Sequence, residues 1–197
     1  MAKDILSGVV VLERADRLCV SLCGSLLAEL GATVLQIAGA DHDINLTNVA
    51  REKAKQSATI GKTLILGKSA TDTTVWQRLA ERSDIVLFGY EGPHDRELEA
   101  NHVARRIVCC FSSFGVDAPS GAGLAGETVL QALGGMMATT GTSGGSPERV
   151  NVPIVEMFTA LNAATSILAA LRTGESAFLD IAEIDSAALA IGKPAVI

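Results

Sequence analysis

Three kinds of glycine-bearing stretch hold residue types that could cradle a phosphate. "GAGLAG" (121–126) is a literal G-x-G-x-x-G, "GKT" (61–63) and "GKS" (67–69) mimic the end of a P-loop, and "MMATTGTSGGSPERVNVP" (136–153) is a Gly/Ser/Thr-rich turn. Each would have to present backbone N–H groups to an anion at the start of a helix. The dinucleotide fingerprint needs its first Gly directly after a strand, with an acidic residue at a later strand end. Here "SSFGVDAPS" intervenes, and the acid at about the right distance, Glu148, lies in a loop. A P-loop needs a Gly with four residues between it and the GK pair; those positions are Gln56 and Lys62. Lys68 follows a strand and could contact a phosphate, with a solvated surface lysine as the competing reading. The turn at 136–153 reads as a phosphate loop, a linker, or an active-site turn that has lost a reactive side chain.

Other chemistry is thinly represented. Cys19 and Cys23 fall one helical turn apart, and Cys109 and Cys110 are adjacent in a strand. His42, His94 and His102 supply no zinc-type spacing, so the thiols read as small buried hydrophobes and no metal is expected. There is no G-x-S-x-G, and no histidine lies in a catalytic motif.

The elements that must position these residues alternate. "GVVVLE" (8–13), "TVLQI" (33–37), "KTLIL" (62–66), "DIVLFGY" (84–90) and "RRIVCCF" (105–111) read as strands. Helices are expected over 19–32, 72–83, 95–104, 127–138 and 154–172, with a final strand–helix pair over 178–192. That order implies an α/β fold with an open, mostly parallel sheet and flanking helices. The 197 residues, 48% of them apolar, suit a single domain. The net charge of −6 gives no footprint for nucleic acid or an anionic membrane. No secretory h-region opens the chain, and the apolar run "IVEMFTALNAATSILAAL" contains Glu156 and Asn162, so it reads as a core helix. A cytoplasmic protein, with no membrane or nucleic-acid partner, is the expectation.

Seven stretches together resemble family III CoA-transferases, the superfamily of formyl-CoA transferases, carnitine CoA-transferases and 2-methylacyl-CoA racemases. They are "LSGVVVLE", "CGSLLAELGATVLQI", "LAERSDIVLFGY", "RRIVCCFSSFG", "ETVLQALGGMMATTG", "RVNVPIVEMFTALNAATSILAALRTGES" and "FLDIAEIDSAAL". They run in the family's order over nearly the whole chain, most weakly at 38–60 and 91–104. The resemblance implies a Rossmann-like large domain that binds CoA or acyl-CoA at strand ends. It also implies an interlocked dimer, as a homodimer or a heteromer with a related chain. By the same resemblance, residues 1–197 are expected to form a single α/β domain corresponding to the N-terminal part of the family's fold, without its small domain and C-terminal return.

The resemblance also assigns residues. The family's nucleophilic aspartate lies in a turn like T-T-G-x-x-D-G-P-P, and Gly144 falls on it, so the group that carries the acyl chain is missing. The racemases' His falls on Gly126, with Glu127 at the following acid, and their catalytic Asp falls on Glu156. Glu127 and Glu156 are thus the candidate catalytic residues, with a helix-capping Glu156 as the alternative. Asp16, Arg17, Lys68, Tyr90 and Phe114 are the candidate CoA contacts. "GYEGP" (89–93) places Glu91 where an Arg would face CoA phosphates. The leading expectation is a family III CoA-transferase-like chain that is catalytically degenerate or works with a partner. The alternatives are an active CoA-transferase or acyl-CoA-processing enzyme using Glu127 or Glu156, and a nucleotide-binding Rossmann protein.

Overall fold

The computed structural model describes residues 5–14, 17–37, 58–65, 73–90, 107–119 and 123–192. Six parallel strands carry the fold: β1 (Val10–Arg14), β2 (Thr33–Ile37), β3 (Thr63–Ile65), β4 (Ile85–Gly89), β5 (Ile107–Ser112) and β6 (Ala177–Ala182). They lie side by side in the order β3-β2-β1-β4-β5-β6. The helices are α1 (Leu18–Glu29), α2 (Thr73–Ala80), α3 (Glu127–Leu133), α4 (Ile154–Thr173) and α5 (Glu183–Ile191).

A parallel sheet covered on both faces needs strands that are apolar on both faces. β4 (IVLFG) and β5 (IVCCFS) are buried at every position. On one face Val11, Val34, Ile85, Leu87 and Phe111 pack beneath α1 and α4. α4 contributes Ala160, Ala163, Ala164 and Ile167 to this layer, and the three alanines are small enough to let its backbone approach α1 closely. On the other face Leu12, Val86, Phe88, Val108 and Cys110 pack against Trp76 and Ala80 of α2. All four cysteines are buried free thiols, as their spacing predicts. α4 is long and apolar enough to cross a bilayer by length and composition. One of its faces is core, whereas Met157, Phe158 and Leu161 on the outer face stay exposed.

The expected helix over 127–138 is two elements. α3 ends at Leu133, Gly135 adopts φ +80°, and a single 3-10 turn covers Met136–Ala138. A side chain at Gly134 would place its Cβ 2.7 Å from that of Ala187, so the helix end lies flush against α5. The Gly-Gly pair provides both the tight approach and the left-handed backbone that an L side chain resists. The short helix expected over 95–104 lies outside the described residues.

Candidate active site at the strand ends

Parallel strands align their C-terminal ends, and the helices that follow begin on the same side of the sheet. Arg17 directly precedes α1, Ser113 follows β5, and Glu183 begins α5 at the end of β6. Their side chains meet. The Arg17 guanidinium forms a salt bridge with Glu183 and donates to Ser113 Oγ at 3.2 Å. Cys19 Sγ donates to the other Glu183 oxygen at 3.3 Å. Ser113 Oγ also accepts the Ala125 N–H at 2.9 Å, drawing in the segment that leads to α3.

Glu156, in the first turn of α4, is buried close enough for its charge to act on Arg17. Burial works against the Arg17 charge, but the Glu183 and Glu156 carboxyl groups outweigh it, so the guanidinium binds its proton more firmly than usual. Burial pushes the Glu183 carboxyl up. Arg17 and Cys19 pull it down without cancelling that effect, and Glu127 adds repulsion. The Cys19 thiol is pushed well up by burial, with the Glu183 charge adding to it, so it is an un-ionised donor here.

Glu127 has a distinct occupation. α4 starts after Pro153, which has no side chain able to cap a helix. The Glu127 carboxylate reaches across from α3 and accepts the N–H groups of Val155 at 3.0 Å and Glu156 at 3.3 Å. Two of the first-turn donors that a helix cannot satisfy internally are thus paired from outside, by an anion at the positive end of the dipole. Gln131, one turn along α3, donates to Glu127 Oε1 at 2.7 Å. It also exchanges hydrogen bonds with the Val150 backbone, at 2.8 and 3.0 Å. α3 therefore fixes both the exit of the Gly-rich turn and the placement of Glu156.

The structure brings Arg17, Glu156 and Glu127 into one neighbourhood, whereas the resemblance placed them in separate cofactor and catalytic sets. Tyr90 and Phe114 follow β4 and β5, packed against the α2-side layer and against the Leu130–Met136 cluster respectively. Asp16 and Lys68 lie outside the described residues. Gly144 sits in the exposed turn with φ +75°, and a Cβ there would meet nothing within 4 Å. Glu183, Cys19 and Ser113 were missed by sequence reasoning. The available signal for Glu183 was a charge at a strand-to-helix junction inside the otherwise apolar "FLDIAEIDSAAL".

Comparison with known proteins supplies the wider frame. The profile of CoA-transferase family III matches residues 6–196. A succinyl-CoA:mesaconate CoA-transferase of Haloarcula hispanica is 30% identical, over 89% of this chain and 51% of its own length. A succinate–glutarate CoA-transferase of Agrobacterium fabrum is 27% identical, over 93% of this chain and 52% of its own. The chain thus spans about half the length of the curated relatives it matches. Among solved structures, a CAIB/BAIF family protein from Brucella suis superposes with a TM-score of 0.82 at 24% identity, covering 96% of this chain and 56% of that one. Rv3272 from Mycobacterium tuberculosis gives 0.79 at 23% identity, over 96% and 56%. These two establish the shared fold.

Proposed function

Since the chain belongs to CoA-transferase family III, we propose that it is a CoA- or acyl-CoA-binding member that lacks its own acyl-carrying nucleophile and acts with a partner. What supports this reading is the resemblance, which puts the family's acyl-carrying aspartate at Gly144, in an exposed turn with room for a side chain. Acyl transfer through the enzyme needs a side-chain nucleophile, and a hydrogen cannot form a mixed anhydride. Two of the strand-end carboxyl groups are otherwise engaged: Glu127 caps α4, and Glu183 is held by Arg17. CoA would supply the thiol that carries the acyl group, and this chain's part would be to bind and orient it at the strand ends, beside Tyr90 and Phe114. The partnered form draws support from the exposed apolar face of α4 at Met157, Phe158 and Leu161.

Incubation with several acyl-CoA donors followed by hydroxylamine and peptide mass spectrometry tests the reading. No adduct is expected on the unmodified chain. An adduct on Glu127 or Glu156 would overturn degeneracy in favour of an enzyme that uses those acids. Gly144→Asp adds the missing carboxylate where there is room for it, at a cost of about 1–2 kcal/mol for the left-handed backbone, which Asp tolerates better than most residues. CoA exchange that appears in this variant and not in the parent would place the lost chemistry at residue 144.

A further inference from the structure

The Gly-rich turn is exposed from residue 141 to residue 149 and is closed at its base. Thr140 Oγ1 donates to the Glu148 carbonyl, and the Glu148 N–H donates to the Met137 carbonyl at 3.2 Å. Near the tip the Gly145 N–H reaches the Thr142 carbonyl at 2.8 Å. A surface loop whose ends are bonded together in this way moves as a piece.

At its exit the turn meets Gln131, a fully buried amide on α3. Gln131 Oε1 accepts the Val150 N–H at 2.8 Å, while Nε2 donates to the Val150 carbonyl at 3.0 Å and to Glu127 Oε1 at 2.7 Å. Reversing the amide would set its oxygen against a carboxylate and a carbonyl, so partners on both sides dictate its orientation. Glu127 in turn accepts the N–H groups of Val155 and Glu156. One chain of hydrogen bonds thus runs from Val150 through Gln131 and Glu127 to the first turn of α4. Val150, Ile154 and Val155 also pack in one apolar cluster with Leu130 and Met136, so burial holds the same pieces together. Members of such a network strengthen one another.

We infer that Gln131 is a positioning residue that couples the Gly-rich turn to the start of α4, so that Val150, Val155 and Glu156 are released and held as one unit. Coupling of this kind runs both ways. Whatever steadies the turn also steadies Glu156, and whatever displaces the start of α4 frees the turn. The inference stands apart from the CoA-binding reading above, because it needs no ligand.

Hydrogen exchange resolved to single amides, on the full chain, tests it first in the parent. The Val150, Val155 and Glu156 amides should share one protection factor to within about threefold, lower than that of Ala163 in the middle of α4. A wider spread among the three, or protection as high as that of Ala163, overturns the coupling. Gln131→Met keeps the length of the side chain and removes its amide. Exchange at all three amides should then rise together, about 10- to 100-fold, with Ala163 unchanged. A rise confined to Val150, or one that Ala163 shares, overturns it. Thr140→Val opens the base of the turn without touching α4, and exchange at Val155 and Glu156 should still rise. In the Gln131→Met background the same change should no longer reach those two amides. No effect of Thr140→Val on α4 in the parent, or an equal effect in both backgrounds, overturns the role of Gln131.

Discussion

Two buried ion pairs lie along helix α1, and they are built differently. At its N-terminus Arg17 meets Glu183, with Glu156 and Glu127 close enough to be felt. One turn further along, Lys62 Nζ meets Glu13 Oε2 at 2.6 Å, and both side chains are 0% exposed. Gln36 donates to the other Glu13 oxygen at 2.6 Å, and Lys62 also donates to the Ser21 carbonyl at 2.7 Å. The second pair is sealed and matched one to one, with its neighbouring polar groups bonded to it. It ties β1, β2, α1 and the approach to edge strand β3 together. Among the described residues the first pair has one cation beside three carboxyl groups, lies at the strand ends, and keeps its arginine 12% exposed. A sealed, balanced pair is a fastening, whereas an unbalanced cluster at the ligand-receiving end of a sheet can exchange partners and protons.

Breaking the fastening should have the largest effect. Lys62→Met leaves a carboxylate buried without its cation and should cost about 3–5 kcal/mol above pH 7 in urea unfolding. A loss no greater than that of an exposed lysine would remove the distinction between the two pairs.

The pH dependence comes next. Burial lifts the Glu13 carboxyl from 4.5 to about 7 against the pull of Lys62, and burial likewise lowers Lys62 against the pull of Glu13. A carboxyl raised on folding gives its full contribution below the unfolded pKa of 4.5, and that contribution is lost as pH rises through about 7. Melting temperatures should therefore show a fall in stability between pH 4.5 and 7, at most about 3 kcal/mol, that Glu13→Gln flattens. An unchanged profile in the variant would mean that Glu13 is ionised throughout the range.

Disturbing the strand-end cluster should matter least. Glu183→Gln keeps the shape and a hydrogen-bond acceptor for Arg17, whose charge is still supported by Glu156, so about 1–2 kcal/mol is expected. A loss as large as that of Lys62→Met, measured under the same conditions, would make this pair a fastening too.

The sheet was legible because strands buried on both faces read as short apolar runs, and because "CGSLLAELGATVLQI" spells a helix, a Gly stop and a strand. The chemistry of the charges was harder to read. Lys62 sits in "GKT" and looks like part of a phosphate loop, yet its ammonium turns inward to an acid 49 residues earlier. Glu127 caps a helix that begins 27 residues after it, and helical periodicity says nothing about such a reach. The break at Gly134 and Gly135 is written in the sequence, but its cause, the closeness of Ala187, appears only once the chain has folded.

α1 passes over the sealed pair at Gly24. A methyl group there would lie 1.8 Å from Glu13 Oε2 and 2.9 Å from Lys62 Nζ. The glycine weakens the helix locally, and its use is the hollow it leaves. Residues 13, 24 and 62 therefore constrain one another: an alanine at 24 requires the pair to shift or shrink, and related chains are expected to change the three together.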